Sequence, residues 1–380
     1  MYAVRDGLDP AGELGRLRAE TPLTRIEVGS GTASRSIWLA TGYDEVRQIL
    51  GDPIRFSTRR RFGRRPPELV GNLMDYDPPE HTRLRRMLTP EFTMRRMRGL
   101  QPRIEAIVAD RLDAMERAGP PADLVELFAG PVPLAVLCEL IGVPRDDRPD
   151  FTRLSARQVD HGRSPRQRAA AGAAVSHYLG NLVARQRADP DDGFIGMLVR
   201  EHGGDVTDEE LRGVCGLLLL AGVDNISGML ALGALALAGR PDRLGLLRAD
   251  PDRALEELLR YLSVVHAPTP RIAREDVTVG DQVIEAGEHV ICSIPAANRD
   301  AALAAEPDRL DLAREPGGHV AFGHGVHHCI GAALARIQLR AGYLGLFGRF
   351  PDLRPVPAGE DVPFRTHTPA YGLTRLPVTW

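Results

Sequence analysis

From about residue 80 onward the apolar positions recur at helical spacing over long stretches, and near the two chain ends they alternate as strands do. Leu23–Val28 and Ser36–Ala40 read as strands joined by the turn Gly29-Ser30-Gly31, and Tyr43–Leu50 as a short helix. Residues Ser57–Asn72 are rich in Arg, Pro and Gly and read as a loop. Asp77-Pro78-Pro79-Glu80 has the composition of a helix start, with Asp as N-cap, Pro in the first turn and Glu three residues on. Helical patterns then run to about Arg200, broken by Pro/Gly/Asp clusters at 119–122, 142–150 and 189–193. Thr207-Asp208-Glu209-Glu210 is a second capping box, and it opens the apolar segment Leu211–Ala238. That segment is long enough to span a bilayer. Asp224 and Asn225 sit at its centre, where lipid would penalise them by several kcal/mol. A helix buried through the middle of a globular protein fits it better. Asp250-Pro251 starts a helix reaching Ser263, strand-like and loop-like sequence follows to Arg309, and Ala332–Phe350 is helical again. Phe364–Trp380 alternates like strands. The pattern is mainly α with a minor β region. No linker, repeat or low-complexity tract divides it, so a single domain over 1–380 is expected, its strand-containing part at about 1–75.

Composition narrows the picture little. The net charge of −3 gives no general reason to bind nucleic acid or an anionic membrane. All 48 basic residues are Arg, with two clusters at Arg59–Arg65 and Arg83–Arg98. Four cysteines (Cys138, Cys215, Cys292, Cys329) follow no disulfide or CxxC spacing, and Met1–Pro10 is polar; both point to the cytoplasm.

The chemistry concentrates at Phe322-Gly323-His324-Gly325-Val326-His327-His328-Cys329-Ile330-Gly331, just before the helix that opens at Ala332. Glycines admit backbone torsions that bring amide N–H groups to a sulfur, and a helix N-terminus adds positive potential favouring thiolate. Such a thiolate is a metal ligand or a nucleophile. A buried structural Cys would not need the glycines. A zinc site could draw on His324, His327, His328 and Cys329, but adjacent ligands close a tetrahedron poorly and no second pair lies nearby. A haem-thiolate loop accounts for all of these residues together.

The fifteen residues Phe322–Arg336 match the haem-binding signature FGxGxHxCxGxxLAR of the cytochromes P450 without a departure, and the chain resembles that family over essentially its whole length. The resemblance implies a triangular prism with a long central helix over haem b. It implies Cys329 as the axial iron ligand, pushing electron density onto the metal. Phe322 would pack beside the thiolate, Gly323 and Gly325 would shape the loop, Gly331 would be a further cofactor contact, and His327 would bind a haem propionate. His81 and Arg85 resemble the HxxxR pair, and Arg271 a further propionate-binding residue; two carboxylates inside a protein require such cations. Glu257 and Arg260 match the ExxR pair and Arg309 its third partner, with Leu310 where an aromatic residue is usual. Ala221 and Gly222 match the segment where the central helix approaches the haem and typically bulges.

Asp224 then matches the acid of a proton relay, but Asn225 stands where the family usually has Thr. The resemblance implies a monooxygenase hydroxylating a small natural-product substrate with O2. The Asn replacement also occurs in members that couple aromatic rings, so oxidative coupling of aromatic or cyclic dipeptide substrates is the alternative. Two further classes are a peroxide-driven peroxygenase, which usually lacks an acid at the place of Asp224, and a non-catalytic recruitment module, against which the intact Cys329 loop argues. The resemblance implies a substrate pocket drawing on Arg61–Leu73, Ser155–Ala169, Leu217–Asn225, Val264–Thr269 and Thr366–Ala370, with Val265, His266, Thr269 and His367 as candidate contacts. With no flavin or nicotinamide fingerprint, electrons are expected from a ferredoxin or flavodoxin with its reductase, docking on Arg83, Arg86, Arg95, Arg96 and Arg98.

Overall fold

A computed structural model describes residues 5–29, 34–59, 70–160, 162–266, 270–356, 362–365 and 369–380. Helix dominates it, as the periodicity predicts. The central helix runs Asp208–Leu237, and the expected capping box starts it: the Glu210 N–H donates to the Thr207 hydroxyl (3.1 Å) while the Thr207 N–H donates to the Glu210 carboxylate (2.9 Å). Each orphan donor of the first turn that is satisfied this way contributes about 1 kcal/mol.

This helix is apolar all round because it joins two cores. Leu211, Val214, Leu219 and Val223 bury against the helices Glu80–Leu88, Pro131–Ile141, Pro165–Ala188 and Phe194–His202. From Ile226 on, Met229, Leu230, Ala234 and Leu237 pack with the helices Met94–Ala118, Pro251–Leu262 and Ala332–Arg349. By length and composition the helix could cross a membrane, but over half of its most apolar stretch is buried inside the protein. Asp224 and Asn225 fall at the junction of the two cores. The helix continues through 221–225 without the expected bulge, and the π turn of the described residues is at Val125–Ala129.

The main sheet has five strands in the order Leu23–Val28, Arg35–Ala40, His289–Cys292, Arg271–Ala273 and Phe56–Ser57, all pairs antiparallel except the second with the third. It places Arg271 at the foot of the cavity described below. The C-terminal alternation yields one short strand, Pro377–Thr379, and two isolated bridges rather than a run of strands.

Asp77 does not cap the next helix. Its buried carboxylate accepts from the Thr58 N–H (2.8 Å), the Thr58 hydroxyl (3.0 Å), the Ser57 hydroxyl and Arg274 (2.6 Å), and the helix starts at Glu80. Tertiary donors have outcompeted the local ones.

Glu257 and Arg260 form the expected buried pair, through Nε–Oε2 at 2.7 Å and Nη2–Oε1 at 2.8 Å, with side chains 2% and 3% exposed. The third member of the network, on Glu257, is Arg314 (3.3 Å), not Arg309. Arg309 turns its side chain out to Asp311 and Glu306 and contributes only its carbonyl, which accepts from Arg260 at 3.2 Å. Removing one partner of such a buried pair strands the other charge. Arg260→Ala is therefore expected to cost about 3–5 kcal/mol in urea denaturation, whereas Arg309→Ala should leave the midpoint where it is. Equal losses would return Arg309 to the network.

Candidate active site

A large, partly open cavity lies between the central helix and the cysteine loop. Leu217, Leu218, Ala221, Gly222, Asn225, Ile226 and Met229 form its roof, and Phe322–Gly323 with His327–Gly331 its floor. At residue 222 the roof helix packs closely on the helix Pro131–Ile141: a Cβ there would meet Leu137 Cδ1 at 2.9 Å.

The floor is held by its backbone. The Cys329 N–H donates to the Phe322 carbonyl at 2.8 Å, closing the loop. Gly323 and Gly325 have φ of 74° and 70°, and a Cβ on Gly325 would sit 2.5 Å from the Leu50 carbonyl oxygen. Cys329 alone of the four cysteines is accessible, and its open side faces the cavity. Burial pushes its thiol up; the Gly331 N–H, Arg85 and Arg336 oppose that without reversing it. A bound metal cation deprotonates a coordinating thiol outright.

One edge of the cavity collects the four predicted basic residues His81, Arg85, Arg271 and His327. The His81 and His327 rings lie 4.2 Å apart. Both ring nitrogens of His81 and Nε2 of His327 are buried without a hydrogen-bond partner. Burial, with Arg85 and Arg271 nearby, lowers His81 to about 4; burial and then Arg271 lower His327 to about 3. Unmatched buried polar atoms are expensive, and four of these residues around one edge fit an anionic ligand. A flat macrocycle with two carboxylates, a metal over Cys329 and apolar faces against Ala221, Gly222 and Leu334 fits the whole set. The residues thus suit the haem that the resemblance implies.

Other predicted residues divide. Asn225 and Val265 line the cavity, Asn225 in the roof. Asp224 does not: its carboxylate accepts from Arg365 on the C-terminal segment. His266 is turned away, 3% exposed with its ring edge-on to Tyr371 at 5.2 Å. Thr269, His367 and residues 60–69 of the Arg-rich loop lie outside the described residues. Of the predicted docking arginines, Arg83 is engaged by Glu210 and Arg96 by Glu91 (2.8 Å), while Arg86, Arg95 and Arg98 are exposed. Sequence reading missed Arg314 and Arg365, which no local spacing flags, and Leu137 and Leu140, which line the cavity from the helix Pro131–Ile141.

The sequence profile described as Cytochrome P450 matches residues 251–376. Cytochrome P450 165B3 of Amycolatopsis orientalis is 56% identical over 393 residues, covering 100% of this chain and 98% of its own. A structure of the complex of the X-domain and OxyB from teicoplanin biosynthesis contains a chain 60% identical, TM-score 0.92, matched over 100% of this chain and 99% of that one. OxyC, a cytochrome P450 implicated in an oxidative C–C coupling reaction during vancomycin biosynthesis, is 49% identical with TM-score 0.93 over 100% and 96%.

The unpartnered histidines give a direct test. The double substitution His81→Phe/His327→Phe keeps ring volume and removes the orphan nitrogens. Haem transfer to apomyoglobin is expected to run roughly tenfold faster or more, one hydrogen bond to a charged group contributing about 1.5–3 kcal/mol. The haem-free protein should lose no stability. Unchanged haem transfer would remove both residues from the propionate edge.

Proposed function

The chain belongs to the cytochrome P450 family, and from that premise we propose that its reaction is oxidative coupling of two aromatic rings within a peptide. Its membership makes it a monooxygenase-class oxidoreductase with haem b as cofactor, using O2 and electrons delivered by a redox partner. When bound, thiolate-ligated haem activates O2 and supplies the oxidant. The protein residues bind, orient and manage protons around it. Cys329 is proposed to ligate the iron, with His81, Arg85, Arg271 and His327 on the propionates.

One observation carries the choice of reaction: the proton-handling groups of the roof are depleted. A hydroxyl carries donor and acceptor on one rotating atom, so it can take a proton on one side and release it on the other. The Asn225 amide has them on separate, fixed atoms; it can hold O2 or water but relays poorly. Asp224 is turned onto Arg365 rather than into the cavity. A substrate that carries its own ionisable hydrogens relieves this deficit, and a phenol (pKa about 10) is such a substrate where an alkane is not. The balance closes: two ring or phenol hydrogens leave, one C–C or C–O bond forms, and O2 with two electrons and two further protons becomes two waters. Hydroxylation, the first reading of the sequence, draws the same two protons from solvent, but a substrate C–H bond is not acidic and cannot take part in passing them, whereas a phenol hydroxyl can. OxyC, implicated in C–C coupling, supports the same choice, and the apolar roof suits aromatic rings. By likeness to the OxyB complex we extend the proposal to a partner domain of the X-domain kind.

The test uses holoenzyme, ferredoxin, reductase, O2 and a linear peptide with several phenolic side chains. A product lighter by two hydrogens and free of labelled oxygen is expected; a product heavier by one oxygen makes the protein a hydroxylase. Asn225→Thr restores a relaying hydroxyl and should lower peroxide release without peptide by about tenfold, a modest share of what one positioned proton-transfer group contributes. An unchanged peroxide yield removes Asn225 from proton handling.

The electron carrier is proposed to be an acidic ferredoxin or flavodoxin, docking on the exposed Arg86, Arg95 and Arg98. Arg86→Glu/Arg95→Glu is expected to weaken carrier-driven turnover and flatten its salt dependence. A salt profile identical to that of the unsubstituted enzyme would rule out this face.

A further inference from the structure

The helix Pro251–Leu262 presents two consecutive carboxylates with separate tasks. Glu257 is committed to Arg260. Glu256 crosses instead to the helix behind the cysteine loop and takes Arg336 in a two-pronged pair, Nε–Oε1 at 2.6 Å and Nη2–Oε2 at 2.8 Å. His319 closes on the same carboxylate, with Nε2 at 3.1 Å from Oε2. Its Nδ1 accepts the Ala321 N–H at 3.3 Å, which leaves the proton on Nε2, so even the neutral ring donates to Glu256. Burial opposes ionisation of Glu256, yet the Arg336 and His319 hydrogen bonds outweigh it and hold its pKa at about 2. The pair is charged throughout the neutral range.

This arrangement aims a cation at the thiolate loop. Held by Glu256, the Arg336 guanidinium stands 4.6 Å over the centre of the Phe322 ring. Phe322 is the residue whose carbonyl receives the Cys329 N–H. The Arg336 charge also acts on the sulfur, favouring its anionic form. A bidentate, ring-stacked guanidinium is a geometry that a surface lysine could not reproduce. No step of the proposed reaction uses either residue.

We propose that Arg336 is a positioning charge for the thiolate ligand, and that Glu256, with His319 behind it, sets how much of that charge the ligand feels and so tunes the reduction potential of the haem iron. Adding an electron to a thiolate-ligated iron adds negative charge, which a nearby cation stabilises and a paired anion offsets. Arg336 is one-third exposed (33%), so solvent moderates the effect. The inference rests on Cys329 as the iron ligand.

The experiment is a spectroelectrochemical titration of holoenzyme variants, with the ferrous–CO spectrum recorded for each. Arg336→Gln is expected to lower the potential and Glu256→Gln to raise it, each moving the reduction equilibrium by roughly three- to tenfold. Arg336→Lys should fall between Arg336→Gln and the unsubstituted enzyme. Potentials that stay together while the thiolate spectrum is intact would overturn the tuning role and leave the pair as a packing contact. If Arg336→Gln fails to retain haem, the rise in Glu256→Gln decides alone. An unsubstituted holoenzyme without the thiolate ferrous–CO spectrum overturns the ligand assignment and the tuning with it, a failure distinct from unmoved potentials.

Discussion

Burying Glu257 and Arg260 side by side removes both charges from water, at a cost of several kcal/mol per ion that their mutual attraction alone does not offset. The compensation comes from the backbone groups the pair satisfies. Arg260 donates to the carbonyls of Asn298 and Pro307, each at 2.7 Å, and Glu257 accepts the Asp311 N–H at 2.9 Å. Asn298 extends the network: its amide donates to the Ser263 hydroxyl at 2.7 Å and its carbonyl oxygen accepts the Val320 N–H at 2.7 Å. The stretch from 298 to 320 is mostly irregular, so few ladder partners exist for its backbone. The ion pair substitutes for a sheet. Because Val320 lies two residues before Phe322, the cysteine loop begins from a fixed point, and Cys329 can face the cavity in one orientation.

What the sequence made legible were the features whose partners lie within a turn or a motif. The Thr207–Glu210 capping box, the Asp250 cap on Arg253 and the loop Phe322–Gly331 depend on neighbours a few residues away. The failures share the opposite cause. Asp77 could cap a helix locally, but Ser57, Thr58 and Arg274 reach it from other elements. Arg309 and Arg314 lie in the same irregular stretch far along the chain from Glu257, and only its path decides that the Arg314 side chain is the one that reaches the carboxylate. His266 sits one residue beyond the cavity-lining Val265, where the bridge to Ala370 turns alternate side chains to opposite faces. Arg365 meets Asp224 across 141 residues, beyond any periodicity.

That long-range contact changes how the distal side is understood. The proximal side is a dense polar network: Glu257 with Arg260 and Arg314, then Glu256 with Arg336 and His319. The roof is mostly apolar, with the Asn225 amide at the point where the two cores meet. The Arg365 guanidinium holds the Asp224 carboxylate away from the cavity. A carboxylate so held is not directed to donate inward. The proposed chemistry then selects a substrate before shape does: apolar walls admit many molecules, but those that bring acidic hydrogens to the oxygen can complete the reaction. Phenolic rings meet both conditions, since their faces suit the apolar roof and their hydroxyls supply what Asn225 cannot pass on.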